Sequence, residues 1–262
     1  VLACFQISIS HGWKQANTGN YGANSDASSA PGGTITSAVA NVTGSLYNGD
    51  YVGSGENVTF THSTANTGYT FLGWGSAFNN QNTPSSYTAY TTGTNVAIDN
   101  EAKTLTLSNI TANQSVYAFF KENVTTITVN VQSGQSDYGT LKEQSNSWMD
   151  KSWGYSITAG VSSGKTLKAD GSAQGYKLKQ WTLTGGATLA SGSSLTDSQI
   201  SLRGNGTDGS MGTATAEFEY GYVVRGDKND DSGNGGLGGW SATDTYLVPR
   251  GDGTGVYTAT LD

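Results

Sequence analysis

The stretch Gly68-Tyr69-Thr70-Phe71-Leu72-Gly73-Trp74 returns later as Gly175-Tyr176-Lys177-Leu178-Lys179-Gln180-Trp181, with its glycine, aromatic, apolar and tryptophan positions retained. A recurrence of this length restricts the chain to a tandem architecture, in which each copy repeats one supersecondary unit. Further landmarks keep the same order. Thr59-Phe60 and Thr166-Leu167 precede the two stretches, and Gly33-Thr34-Ile35 answers Gly139-Thr140-Leu141 further upstream. Val116 to Lys121 and Ala214 to Glu219 close the two copies. Alternating strands open them, Phe5 to Ile9 and Ile127 to Val131. The reading is an all-β chain of tandem small β-sandwich or β-grasp-like repeat modules with long Gly/Ser/Thr/Asn-rich loops. Its expected divisions are residues 1–121, 122–219 and a partial third β-module at 220–262.

The landmarks of the first copy, Gly33-Thr34-Ile35, Val58 to Phe60, Gly68 to Trp74 and Val116 to Phe120, resemble the divergent internalin-type B-repeat. The second copy departs from that pattern where Gln180 replaces the glycine before Trp181 and Lys165 replaces an apolar strand residue. The resemblance implies small all-β modules in tandem on secreted or surface proteins, and it implies no single activity. Beyond Tyr220, Gly239-Trp240 and Gly255-Val256-Tyr257-Thr258-Ala259-Thr260-Leu261 are loosely similar to starch-binding and other carbohydrate-binding sandwiches.

Composition excludes several classes. With 37 glycines and 13 % charged residues the chain is too poor in helix formers for a bundle, and its 10 % aromatic content is too high for disorder. A net charge of −7 is the wrong sign for a nucleic-acid partner. No apolar run is long enough to cross a bilayer as a helix. The start lacks both a cationic region and a small-residue cleavage site, which predicts that a signal has been removed or that the sequence begins within a longer protein.

Val1 to Ser10 alternates strictly, with Val1, Ala3, Phe5, Ile7 and Ile9 on one face. It is read as the first strand of the first unit. The alternative is an assembly strand donated to a neighbouring copy, with the polar segment His11 to Ala30 as its tether, which would give self-association. The single cysteine, Cys4, allows no internal disulfide and is read as a half-buried structural thiol.

Catalytic patterns are absent. His11 and His62 are the only histidines, and they show neither triad nor zinc spacing. His62, in register with Phe60, is expected to be a surface or half-buried strand residue. No motif singles out a pair of carboxylates, so the chain is read as non-enzymatic. Asp227, Asn229 and Asp231 space oxygen ligands like the start of a calcium loop, but Ser232 and Gly238 stand where that loop needs glycine and glutamate. Calcium is therefore the only candidate cofactor.

Six tryptophans divide into two classes. Trp74 and Trp181 belong to the repeat and are expected in the module cores. Trp13, Trp148, Trp153 and Trp240 lie in or beside polar loops. With Tyr155 they are the candidates for stacking on sugars, the aromatic loop 147–155 being the densest. The function expected is that of a structural or adhesive repeat protein, secreted or at a cell surface, such as a filament or stalk subunit. The alternative is a carbohydrate-binding accessory region of a larger secreted enzyme.

Overall fold

The computed structural model describes residues 3–80, 86–171, 176–223, 246–249 and 257–258. Its first unit contains β1 (Cys4–Lys14), β2 (Tyr21–Asn24), β3 (Ile35–Ala40), β4 (Gly44–Ser45), β5 (Tyr51–Gly53) and β6 (Val58–His62). It continues with β7 (Tyr69–Asn79), β8 (Ser86–Ala89), β9 (Val96–Asp99), β10 (Thr104–Leu107) and β11 (Gln114–Glu122). The second unit contains β12 (Thr125–Val131), β13 (Gly139–Gln144), β14 (Trp148–Lys151), β15 (Tyr155–Ala159) and β16 (Lys165–Gly171). It ends with β17 (Tyr176–Gly185), β18 (Ala187–Leu189), β19 (Gln199–Gly204) and β20 (Ser210–Tyr220). Three short strands come after these, β21 (Tyr222–Val223), β22 (Tyr246–Pro249) and β23 (Tyr257–Thr258), paired in that order. The chain is all-β: among the described residues the one helical segment is a 3-10 turn at Ala27–Ser29, capped by the Asp26 side chain.

Each unit is a pair of sheets, and the same topology is drawn twice. In the first, β2-β1-β11-β7-β8 faces β4-β3-β6-β10-β9, with β5 also on β1. In the second, β15-β12-β20-β17 faces β14-β13-β16-β19-β18. The opening strand runs parallel to the closing one in both, β1 with β11 and β12 with β20, and the closing strand pairs antiparallel with the motif strand. Only the first unit adds β2 and β8. Alternation produces this arrangement directly. In β6 every second side chain is buried, Val58, Phe60 and His62, while threonines lie between them. Thr59 bonds Thr106 across the ladder at 3.0 Å, and the equivalent Thr166 bonds Ser201 at 2.8 Å.

The repeated motif is a bulged strand. Register slips between Phe71 and Gly73 on β7, leaving Leu72 unpaired with β11, and slips at the equivalent place on β17, leaving Lys179 unpaired with β20. An extra residue re-aims the side chains beyond it, and here it turns Trp74 and Trp181 into the cores at 2 % and 1 % exposure. Gln180 keeps the bulge, so glycine is not what makes it. The Trp181 indole donates to the Asp197 carbonyl oxygen at 3.2 Å. Two separate apolar cores result, one around Phe60, Trp74, Leu105 and Phe120, the other around Leu141, Leu167, Trp181 and Leu202.

Several expectations are corrected. His11 to Ala30 is not a polar tether: β1 runs on through Lys14 and turns back as β2, with Trp13 opposite Gly22. Within loop 147–155, Trp148–Lys151 form the edge strand β14 and Tyr155 opens β15. Cys4 is exposed rather than half-buried, because it opens β1 on the face opposite Phe5, Ile7 and Ile9. His62 is buried at 6 % exposure, since the bulge places Phe71 against its ring. Between β4 and β5 the chain makes a turn closed by Asp50, which accepts the Tyr47 N–H at 2.7 Å.

Trp74→Ala and Trp181→Ala are each expected to destabilise their own unit by about 3–5 kcal/mol, as large aromatic truncations in closed cores do. Hydrogen exchange resolved by segment checks this, with the larger loss of protection confined to the substituted unit.

Candidate functional site

Glu122, the last residue of β11, is 2 % exposed although it is charged. Its environment explains how a carboxylate survives there. Oε1 accepts the Ser162 N–H at 2.6 Å, the Ser162 hydroxyl at 2.8 Å and the Ser163 N–H at 2.9 Å. Oε2 accepts the Ala16 N–H at 3.0 Å and the Ser163 hydroxyl. The donors come from both units, Ala16 from the end of β1 and the serines from the turn between β15 and β16. Burial alone would push this carboxyl up, but the bonds from Ala16, Ser163 and Ser162 outweigh it and hold the group below the ordinary carboxylate range.

The surrounding residues extend the same seam. Asn17 donates through its backbone to Ser163 Oγ at 3.3 Å and through its side chain to the Gly164 carbonyl at 3.0 Å. Tyr69 Oη and Ser162 Oγ lie 2.6 Å apart. On the other side of the crossing, Asp208 pairs with Lys121 at 2.7 Å and accepts the Val124 N–H at 2.9 Å. Asn123 donates to Gly206 O at 2.7 Å while accepting from Thr70 at 2.7 Å. Glycines make the close approach possible. A Cβ on Gly68 would lie 2.5 Å from Val161, and one on Gly160 would lie 2.1 Å from the Glu122 carboxyl carbon. Gly68 also has φ +83°, which side chains rarely adopt.

The residues singled out for sugars do not gather. Trp13 lies across Gly22, where a Cβ would sit 2.4 Å from its ring. Trp153 packs edge-on against Phe218 at 6.0 Å and donates to Gly139 O at 3.4 Å. Tyr155 donates to Glu143 at 2.5 Å, and burial followed by that carboxylate pushes its phenol up to about 12. Glu143, 3 % exposed, also pairs with Lys165 at 2.8 Å and Lys151 at 3.3 Å. Lys165, which breaks the apolar pattern of the repeat, thus has an electrostatic reason. Among the described candidates Trp148 is the exposed one, at 36 % beside Met149 at 42 %. Among the described residues these four rings make no ring contact with one another. Trp240 and the calcium candidates Asp227, Asn229 and Asp231 lie outside the described residues. No group of three or more acidic, histidine or cysteine side chains placed to hold a metal occurs among the described residues.

For the assembly strand, Ile7 and Ile9 are buried, Phe5 is half-buried and Ala3 is exposed, while Val1 lies outside the described residues. The strand pairs within its own chain, from Ile7 opposite Gln114 to Lys14 opposite Lys121. Sequence reasoning missed Glu122. A signal existed, in that Lys121-Glu122 follows directly on the apolar run Val116 to Phe120 at the boundary between repeats.

Neither a family model nor a curated protein sequence matches this chain. Among solved structures, the C-terminal fragment of pilus adhesin SpaC from Lactobacillus rhamnosus GG is similar at TM-score 0.40 and 12 % identity, over 85 % of this chain and 100 % of that one. A bacterial adhesin from Mobiluncus mulieris gives 0.24 and 11 %, over 63 % and 90 %. A variant of the major pilin from Streptococcus pyogenes gives 0.27 and 8 %, over 83 % and 99 %. These scores are too low to transfer a role, so function rests on this chain's own residues.

Glu122→Ala is expected to weaken the coupling between units by about 2–4 kcal/mol, because buried donors from Ser162, Ser163 and Ala16 lose their acceptor. Denaturant unfolding that becomes biphasic checks it. In the native chain the contribution of Glu122 is complete above the ordinary carboxylate value and is lost as pH falls through its depressed folded-state value.

Proposed function

We propose that this chain is a non-enzymatic spacer of an extracellular or cell-surface structural or adhesive protein, in which tandem units are held in a fixed relative orientation. The observation that carries this reading is the buried Glu122 seam. Flexibly strung domains have exposed linkers with few contacts across them, whereas here the connection from Glu122 to Thr125 is bonded on both sides and one carboxylate collects donors from both units. A stalk or filament subunit needs that property, and an enzyme accessory region joined by a flexible linker does not. Support also comes from the repeat, whose landmarks resemble the internalin-type B-repeat of surface proteins, and from a surface of hydroxyl and amide groups with few charges. Its natural partners are neighbouring modules or copies of the same protein.

The test is a distance distribution between spin labels at exposed Val42 and Met211, 77 % and 74 % exposed, one in each unit. With Cys4→Ser, V42C and M211C, a narrow distribution is expected that broadens in Glu122→Ala. A broad distribution in the parent protein would sink the rigid-spacer reading. A glycan array addresses the alternative: saturable sugar binding lost in Trp148→Ala would favour a carbohydrate-binding region.

A further inference from the structure

Two histidines from opposite sheets of the first unit converge on Ile35. His11, on β1, accepts the Ile35 backbone N–H through Nδ1 at 3.0 Å. His62, on β6, is the ladder partner of Ile35 across β3. Its ring stacks on Phe71 with centroids 3.8 Å apart and meets Trp74 and Phe120 edge-on. The two side chains are 3 % and 6 % exposed. A ring nitrogen that accepts an N–H carries no proton, so His11 is neutral as folded. His62 Nδ1 lies 2.6 Å from the Ser63 carbonyl oxygen and donates to it, and the aromatic walls supply no counter-charge for a second proton.

The charged neighbours act in opposite senses. Asp26, just past β2, attracts a proton to His11, while Lys103, just before β10, repels one from His62. The strands packed on His11 bring Asn24 from β2 and Ala118 from β11, both uncharged. Burial is the largest influence on both rings and keeps them titrating below an ordinary histidine.

This cluster connects to the junction through Phe120. The ring of Phe120 lies edge-on to His62, and its side chain fills the space left by Gly32 and Gly33: a Cβ would lie 2.5 Å from Phe120 Cβ at Gly32 and 2.5 Å from the ring at Gly33. Phe120 shares β11 with Glu122. Tyr69, whose ring edge closes over Gly32, reaches Ser162 in the second unit.

We propose that this end of the first unit is an acid-sensitive latch: protonation of His11 and His62 breaks the bond to Ile35 and charges the aromatic box, loosening β3 and the part of β11 that carries Glu122. The second unit contains neither histidine and stays folded. Neutral rings stabilise the fold fully above the unfolded histidine value of about 6.5. That stabilisation is lost as pH falls from there through the folded-state values. The loss begins at the unfolded histidine value, above the ordinary carboxylate range from which the Glu122 contribution starts to fall.

Hydrogen exchange of the full chain at about pH 7.5 and about pH 5, corrected for intrinsic rates, tests the latch. Protection factors of β3, β6 and the 160–164 turn are expected to fall about tenfold or more, with β16 and β19 unchanged. His11→Asn keeps an acceptor oxygen at the Nδ1 position and His62→Phe keeps the ring stack, and together they should abolish the fall. An equal fall in both units, no fall, or a fall that persists in the double variant would overturn the proposal. NMR titration of the ring C–H signals in the native chain gives an independent reading: midpoints below about 6.5 support it, and midpoints at or above that value overturn it.

Discussion

The burial of one carboxylate between two repeats is the constraint on which the rest of the molecule turns. A charge withdrawn from water is costly unless hydrogen bonds replace the lost hydration, so Glu122 obliges both units to deliver donors to the same point. That requirement accounts for otherwise unconnected features. It explains why β1 is longer than its counterpart β12 and why Ala16 and Asn17 lie at the crossing. It also explains why two serines sit side by side in the turn after β15, and why Gly160 has no room for a Cβ.

Much of the fold could be read from the sequence, because period-2 alternation and the recurring Gly-Tyr-to-Trp motif report directly on strand faces and core. Trp74 and Trp181 were legible for that reason. The bulge before each was not. It is a property of pairing with β11 and β20, and the residue it displaces is Leu72 in one copy and Lys179 in the other, with no shared chemistry. Gly73 belongs to the motif in the first copy, yet Gln180 occupies the same place in the second without loss of the bulge.

The bonds of the junction and of the histidine cluster could not be read for a different reason: their partners are far apart in sequence. Glu122 draws on residues about a hundred positions earlier and forty later, separations of 106 and 40 between bonded pairs. A polar segment such as His11 to Ala30 looks like a tether when its bonding partners cannot be seen. Tyr155 and Trp153 looked like sugar platforms on the same ground, because an aromatic ring among polar neighbours reads as exposed until the carboxylate or carbonyl that its donor reaches is located.

The two copies have diverged in how each fills its interior, and the divergence leaves the fold unchanged. The first unit places Val58 where the second has Lys165, and the second neutralises that lysine by burying Glu143 between Lys165, Lys151 and Tyr155. Removing one partner from such a cluster strands a charge, so the second unit is committed to its ion pairs. The first unit instead buries two histidine rings, His11 and His62. Both solutions support the same sheets, but only the one next to Phe120 connects a titratable group to the strand that ends in Glu122. The two buried histidines thereby lie on the strand-and-ring path that leads through Phe120 to the seam between the copies.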